Sequence, residues 1–197
     1  MKTEKKMRQE RLAKIIESDP LSTDEQLAAE LGVSVSTVRL DRALMGVPEL
    51  RERLRAMAQR AGSRLRSLSR SEVVGELLEL EPDKWALSIL RTARDMAFRF
   101  TDIVRDRYIY SQASSIAVAA VDAAVVVVGS MRGEHKGHAR VGDTLVARAK
   151  VGTGRDGRRI VSVRTRVGDT EIFVGRFIVE VLDRAATFGN EGREALT

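Results

Sequence analysis

The run from Asp24 to Arg42 constrains this chain more than any other, because it carries start and stop signals for two short helices in one register. Thr23 is placed to cap the first helix, and Gln26, three residues on, completes a capping box. Leu27, Ala28 and Leu31 fall at helical spacing and make its buried stripe. Gly32 follows at once, where a helix end needs a residue that takes positive φ without steric penalty. Ser34 is an N-cap for the second helix, whose inward face is expected to be Val35, Val38 and Leu40. Ala28 is small where the two helices cross. This is helix-turn-helix spacing, and it leaves Ser36, Thr37, Arg39 and Arg42 outward, with Ser34 at the cap, to meet a DNA duplex. A structural helix corner with no partner shares the outline. The agreement of caps, small residue, apolar positions and basic second helix favours DNA.

Charge placement points the same way. The chain of 197 residues has a formal net charge of +6. Residues 1–70 hold fifteen Lys and Arg against ten Asp and Glu, whereas residues 71–197 hold nineteen against eighteen. The excess lies with the helix-turn-helix, as contact with phosphates requires. A solvated basic surface without a partner is the alternative. With 43% hydrophobic and 31% charged residues, the composition is that of a globular chain with a real core.

Several classes are set aside. There is no cysteine, so no disulfide framework or thiolate metal site is available. His135 and His138 are the only histidines, too few by themselves for a zinc site, and are expected in an exposed, Gly-flanked turn. The N-terminus is charged rather than apolar, which does not read as a secretory leader. The most apolar region, Ile116 to Val128, is broken by Asp122 and falls short of the about 20 residues a membrane span needs. A cytoplasmic protein without membrane, metal or cofactor is expected.

Taken in order, the chain reads as an α+β protein. A helix over Lys5 to Glu17 packs behind the motif and ends at Asp19-Pro20. Residues 1–46 form the helix-turn-helix domain, closed by Gly46-Val47-Pro48. Residues 47–71 form an amphipathic linker helix, with Leu50, Leu54, Met57 and Ala58 on one side and alternating charges on the other. From residue 72 the period changes. Glu76 to Leu80 and Trp85 to Leu90 make a hairpin, and Phe98 to Arg105 loops. A long helix of small and aliphatic residues starts near Asp106 and runs to Val121. Val125 to Val128, Thr144 to Val151, Arg159 to Val167 and Glu171 to Val181 alternate as antiparallel strands. Gly175 marks a bulge or a close approach. Residues 72–183 thus make a central helix wrapped by an antiparallel sheet, the hot-dog arrangement, and residues 184–197 a disordered tail. An unpaired sheet edge favours a homodimer, which also sets two DNA-reading modules side by side.

The runs 36–42 (Ser-Thr-Val-Arg-Leu-Asp-Arg), 48–53 (Pro-Glu-Leu-Arg-Glu-Arg) and 111–119 (Ser-Gln-Ala-Ser-Ser-Ile-Ala-Val-Ala) resemble the FapR family, transcription factors of fatty acid and phospholipid biosynthesis in Gram-positive bacteria. The likeness runs from about Arg8 to Val179. It implies a homodimeric repressor whose hot-dog domain binds malonyl-CoA and then leaves its operator DNA. By position, Arg105 falls where the family's arginine meets the malonyl carboxylate, and Phe98 matches an aromatic of the ligand-contacting loop. Ser114 stands where the family has Asn and Asp106 where it has Gly, so Asp106 is expected to compete for the charge of Arg105. On the residues alone, Arg105 reads as a surface arginine paired with Asp102 or Asp106, Phe98 as core, and Asp106 as the cap of the long helix. A hot-dog acyl-CoA thioesterase fused to a DNA-binding module is the alternative, with Asp102 or Asp106 offered as its carboxylate. A constitutive DNA-binding dimer is a third reading.

Overall fold

The computed structural model describes residues 2–182, with side chains from Glu4; the expected disordered tail lies outside the described residues. The chain divides into two compact units, residues 1–57 and the remainder from Ala58.

The first unit holds α1 (Lys2–Ser18), α2 (Asp24–Leu31), α3 (Val35–Met45) and the first half of α4 (Leu50–Arg64). Its core is Leu12, Ile15, Leu27, Ala28 and Val38, with Leu31, Val33, Val35 and Met45 packed at the margin. Both expected caps form. The Thr23 hydroxyl accepts from the Gln26 N–H while the Gln26 side chain accepts from the Thr23 N–H, and Gly32 closes α2 at φ +66°. Leu40 departs from expectation: it is 59% exposed. Two residues beyond Val38 is a turn of about 200° around the helix, so both cannot face one core.

Within α4, Arg53, Leu54, Met57 and Ala61 are buried while Arg51, Arg55 and Arg60 are exposed. Arg53 donates to the carbonyl oxygens of Pro20 (3.2 Å), Pro48 (2.9 Å) and Ser22 (2.7 Å). It thereby fastens the start of α4 to the loop between α1 and α2. Ala61, beyond the division, belongs to the core of the second unit.

The second unit is a six-stranded antiparallel sheet against which α5 (Asp106–Ala119) packs. Its strands are β1 (Glu76–Glu81), β2 (Trp85–Arg91), β3 (Val126–His135), β4 (Thr144–Arg155), β5 (Arg158–Val167) and β6 (Thr170–Val181), in the order β1-β2-β4-β5-β6-β3. Leu145, Ala147, Ala149, Val161, Val163 and Phe177 face Ile109, Ala113, Ile116 and Ala117 of α5 in one core. This is the expected hot-dog arrangement.

Sequence pattern foretold the central strands and undershot β3, which runs to His135 rather than Val128. Beyond Val128 its residues are exposed except Met131, so apolar alternation, the signal of a half-buried strand, is missing. His135 therefore lies on a strand rather than in a turn, its ring 4.9 Å from that of Phe173. Both histidines are exposed.

Gly175 marks a close approach, not a bulge; the register shift in β6 lies at Thr165/Arg166 of the β5 pairing. A Cβ there would meet the rings of Phe177 at 2.7 Å and Phe173 at 2.9 Å, and one at Gly133, its β3 partner, would meet Phe173 at 2.9 Å. Both rings are fully enclosed, so neither can swing away. Gly175→Ala is expected to destabilise the protein by about 1–3 kcal/mol. Calorimetric melting checks this, and an unchanged transition temperature would show that the rings can repack.

Candidate DNA-reading helix and effector site

Helix α3 begins at Ser34, whose hydroxyl accepts from the Thr37 N–H (3.2 Å) and lies 2.9 Å from the Thr37 hydroxyl. Both expected DNA contacts are thus partly engaged in holding the helix start. Ser36, Arg39, Leu40, Ala43 and Leu44 are exposed on α3. Leu40 and Leu44, absent from the expected set, give this face an apolar edge of the kind that meets thymine methyl groups. Their helical phase relative to Val38 was the available signal.

Arg42 does not point outward as expected: it is 5% exposed and bound to Asp24 through Nε (2.8 Å) and Nη2 (3.0 Å), with Nη1 on the Val47 carbonyl. The reason is phase: Arg42 lies four residues after Val38, on the buried side. It ties α3 to the start of α2 and to the segment before α4. Arg39 remains exposed, with Nε 3.2 Å from Asp24 and a marginal 4.0 Å approach to Glu25. Such a surface pair is worth at most about 1 kcal/mol, little enough for a phosphate to replace it.

Asp41, 2% exposed, accepts from Arg8 (2.7 Å) and Gln9 (2.9 Å) and fixes α1 to α3. Burial works to raise the Asp24 and Asp41 carboxyls, but hydrogen bonds from Arg42 and Arg39, and from Arg8 and Gln9, outweigh it and hold both below the ordinary value. A carboxyl depressed in the folded state adds stability above its unfolded value, about 3.9, and loses it as pH falls through the folded value. The first unit is expected to keep its helical signal from pH 7 to 5 and lose stability below about pH 4. Circular dichroism melts of wild type and Asp41→Asn check this; a variant with the same acid slope would refute the assignment to Asp41.

The second candidate site lies at the start of α5. Arg105 is its N-cap residue, half-buried, and Asp106 its exposed first residue. Arg105 Nε donates to the Met96 carbonyl (3.1 Å), and Nη2 to the Asp95 carbonyl and more distantly to the Tyr108 hydroxyl (3.4 Å). No carboxylate pairs with it among the described residues: Asp106 makes no ion pair, and Asp102 is held by Arg140 Nη1 at 2.8 Å to both oxygens. The expected pairing of Arg105 with Asp102 or Asp106 is therefore absent. Neither does Asp106 cap α5 through its side chain. Arg107 also lies over the Tyr108 ring, at 4.8 Å.

Phe98 and Arg105 sit on the two arms of one short hairpin, closed by the bridge Ala97↔Val104 and by Phe98 N–H to Ile103 carbonyl (2.9 Å). Phe98 is exposed, not core, and Phe100 at the tip is 86% exposed with φ +65°. A bulky residue in left-handed conformation is uncommon and strained. Ser114, half-buried, stands nine residues along α5 from Arg105, about 13 Å by helix rise. The structure does not bring these two together within one chain.

Among solved structures the chain resembles Cj0977 of Campylobacter jejuni, at 21% identity over 67% of this chain and 94% of that one, TM-score 0.62. It also resembles PH1136 of Pyrococcus horikoshii, at 25% identity over 58% and 88%, TM-score 0.55. A hypothetical thioesterase with coenzyme A from Streptococcus pneumoniae shares the fold at 10% identity, over 57% of this chain and 89% of that one, TM-score 0.51. A helix-turn-helix joined to a hot-dog body is the plan of a transcription factor with an appended hot-dog domain. No family model matches the chain. Curated relatives do. Transcription factor FapR of Thermoanaerobacter sp. is 42% identical over 89% of this chain and 88% of its own length, and that of Bacillus subtilis is 38% identical over 90% and 96%. The chain belongs to the FapR family of transcription factors.

Proposed function

We propose that this transcription factor is a homodimeric repressor of fatty acid and phospholipid biosynthesis genes, acting in the cytoplasm, which malonyl-CoA releases from its operator. The observation that carries the effector reading is Arg105: its guanidinium is oriented by two backbone carbonyls and has no carboxylate partner among the described residues. A planar fork held in place with its charge uncompensated suits a terminal carboxylate. Arg107 and the N-terminal end of α5 add to the local preference for an anion. Asp106 faces solvent instead of the arginine. Phe98 and Phe100 offer apolar surface for the acyl-pantetheine arm, and Ser114 joins the site from a second copy, since it is remote from Arg105 along its own helix.

The second copy meets this one along β3. Among the described residues each end of the sheet leaves an unpaired edge, β1 and β3. β1 is six residues long and studded with Glu76, Glu79 and Glu81, features that blunt an edge. β3 has ten residues and is the longer template for pairing.

On DNA, Ser36, Arg39 and Leu40 of α3 read bases and phosphates, while Ser34 and Thr37 set the helix start. Ligand acts by binding the DNA-free state more tightly than the DNA-bound state. The test is anisotropy of the full chain on a duplex it selects from random DNA, titrated with malonyl-CoA, acetyl-CoA and free coenzyme A. Malonyl-CoA alone is expected to weaken binding at least tenfold. Equal responses to all three, or none, would overturn the effector assignment. Thiol release from malonyl-CoA would instead favour a thioesterase.

A further inference from the structure

The near-neutral balance of residues 71–197 conceals a sorting of charge onto one face of the sheet. Arg148 and Lys150 of β4, Arg164 and Arg166 of β5, Arg176 of β6 and Arg132 of β3 are all exposed. Each alternates with an inward residue, as Arg148 and Lys150 do with Ala147 and Ala149, so all six project from the face opposite α5. The register sets Arg148 directly across from Arg164, and Arg176 across from Arg132. Like charges in directly opposed positions destabilise a sheet. Folding alone gives no reason to place them there.

Local carboxylates leave most of this charge unanswered. Glu171 takes Arg164 (2.8 Å) and Lys136 (2.9 Å), and Glu180 takes Arg158 (2.9 Å). Arg148 lies 5.0 Å from the Trp85 ring centroid. Lys150, Arg166, Arg176 and Arg132 have no carboxylate partner among the described residues. From β4 to β3 the face spans three strand gaps, about 15 Å, and cations on one strand are about 7 Å apart. The patch is an open, extended array rather than a cavity. Its match is a polyanion with regularly repeated charge, and duplex DNA presents one phosphate per about 1.7 Å of its axis. Guanidinium forks suit phosphate oxygens better than point charges do.

We propose that this sheet face is a second, sequence-independent surface for the phosphate backbone of duplex DNA, separate from α3. It goes beyond the operator-reading role and does not depend on the effector assignment.

The test uses the full chain and a 40-base-pair random-sequence duplex, with affinity measured by anisotropy between about 50 and 200 mM salt. The triple variant Lys150→Gln, Arg166→Gln, Arg176→Gln is expected to bind at least tenfold more weakly at the low-salt end. Its plot of log affinity against log salt should be shallower by about 2–3, near 0.9 per lost phosphate contact. The double variant Arg166→Lys, Arg176→Lys keeps the charge and should keep the slope. Preference for a selected operator over random DNA, which reports on α3, should survive the triple variant and fall in Arg39→Ala. Should the triple variant melt early, Arg176→Gln alone serves, with a slope change near 0.9. An unchanged slope and affinity would overturn the proposal while leaving operator reading intact. Loss of binding to anionic phospholipid vesicles with DNA binding unchanged would also overturn it, in favour of a membrane surface.

Discussion

Arg105→Ala is expected to abolish the response to malonyl-CoA while leaving operator affinity within about twofold of wild type. Losing a fork-shaped, charge-assisted contact to a carboxylate in a half-buried site costs about 3 kcal/mol, roughly a hundredfold in affinity. The backbone carbonyls of Asp95 and Met96, which hold the guanidinium, are close enough to the surface to be satisfied by water after the substitution. Acetyl-CoA, which lacks the terminal carboxylate, should bind wild type and variant alike. Arg105→Lys keeps the charge and loses the fork, and an intermediate, roughly tenfold loss is expected. Calorimetry with both ligands decides the matter. Equal losses for malonyl-CoA and acetyl-CoA would mean that Arg105 supports the loop rather than the carboxylate.

The second large effect separates two arginines three residues apart. Arg42→Ala leaves the Asp24 carboxylate, 16% exposed, with the surface arginine Arg39 as its remaining partner and frees the Val47 carbonyl. Breaking a buried pair outright costs about 3 kcal/mol, so a loss of about 2–3 kcal/mol is expected here. A unit of 57 residues has roughly 3–9 kcal/mol in total, so much of its stability goes. Operator binding is therefore lost through unfolding of the first unit, seen as reduced helical dichroism and a lower transition temperature. Arg39→Ala removes an exposed side chain and is expected to weaken operator binding by about 1–3 kcal/mol, roughly five- to 150-fold, with the melt unchanged. If Arg42→Ala melted like wild type yet lost DNA, the residue would be a DNA contact and the buried-pair reading would be wrong.

These two residues show how far sequence reasoning reached within the site. Thr23, Gln26, Gly32 and Ser34 announce the helix ends because capping is local chemistry, settled within three or four residues. The inward side of Arg42 follows from its phase, four residues after Val38, but its partner is not local: Asp24 lies 18 residues away. At Arg105 the resemblance to a family singled out the residue, whereas the absence of an ion pair with Asp106 became visible only with the rotamers in place. Phe98, read as core on residue type, stands exposed because a short hairpin lifts it clear of the sheet.

By itself the sequence determined the order and type of the elements, the caps, the inward stripe of each central strand and the two-part plan, since each follows from a period or a turn signal a few residues long. Tertiary structure alone decided that β3 closes the sheet beside β6, that Gly133 and Gly175 make room for two rings, and that six cations gather on one face. The β4–β5 and β5–β6 registers follow from their turns, but β3 pairs with β6 without a turn between them, and that non-local register places the glycine pair and completes the cation face.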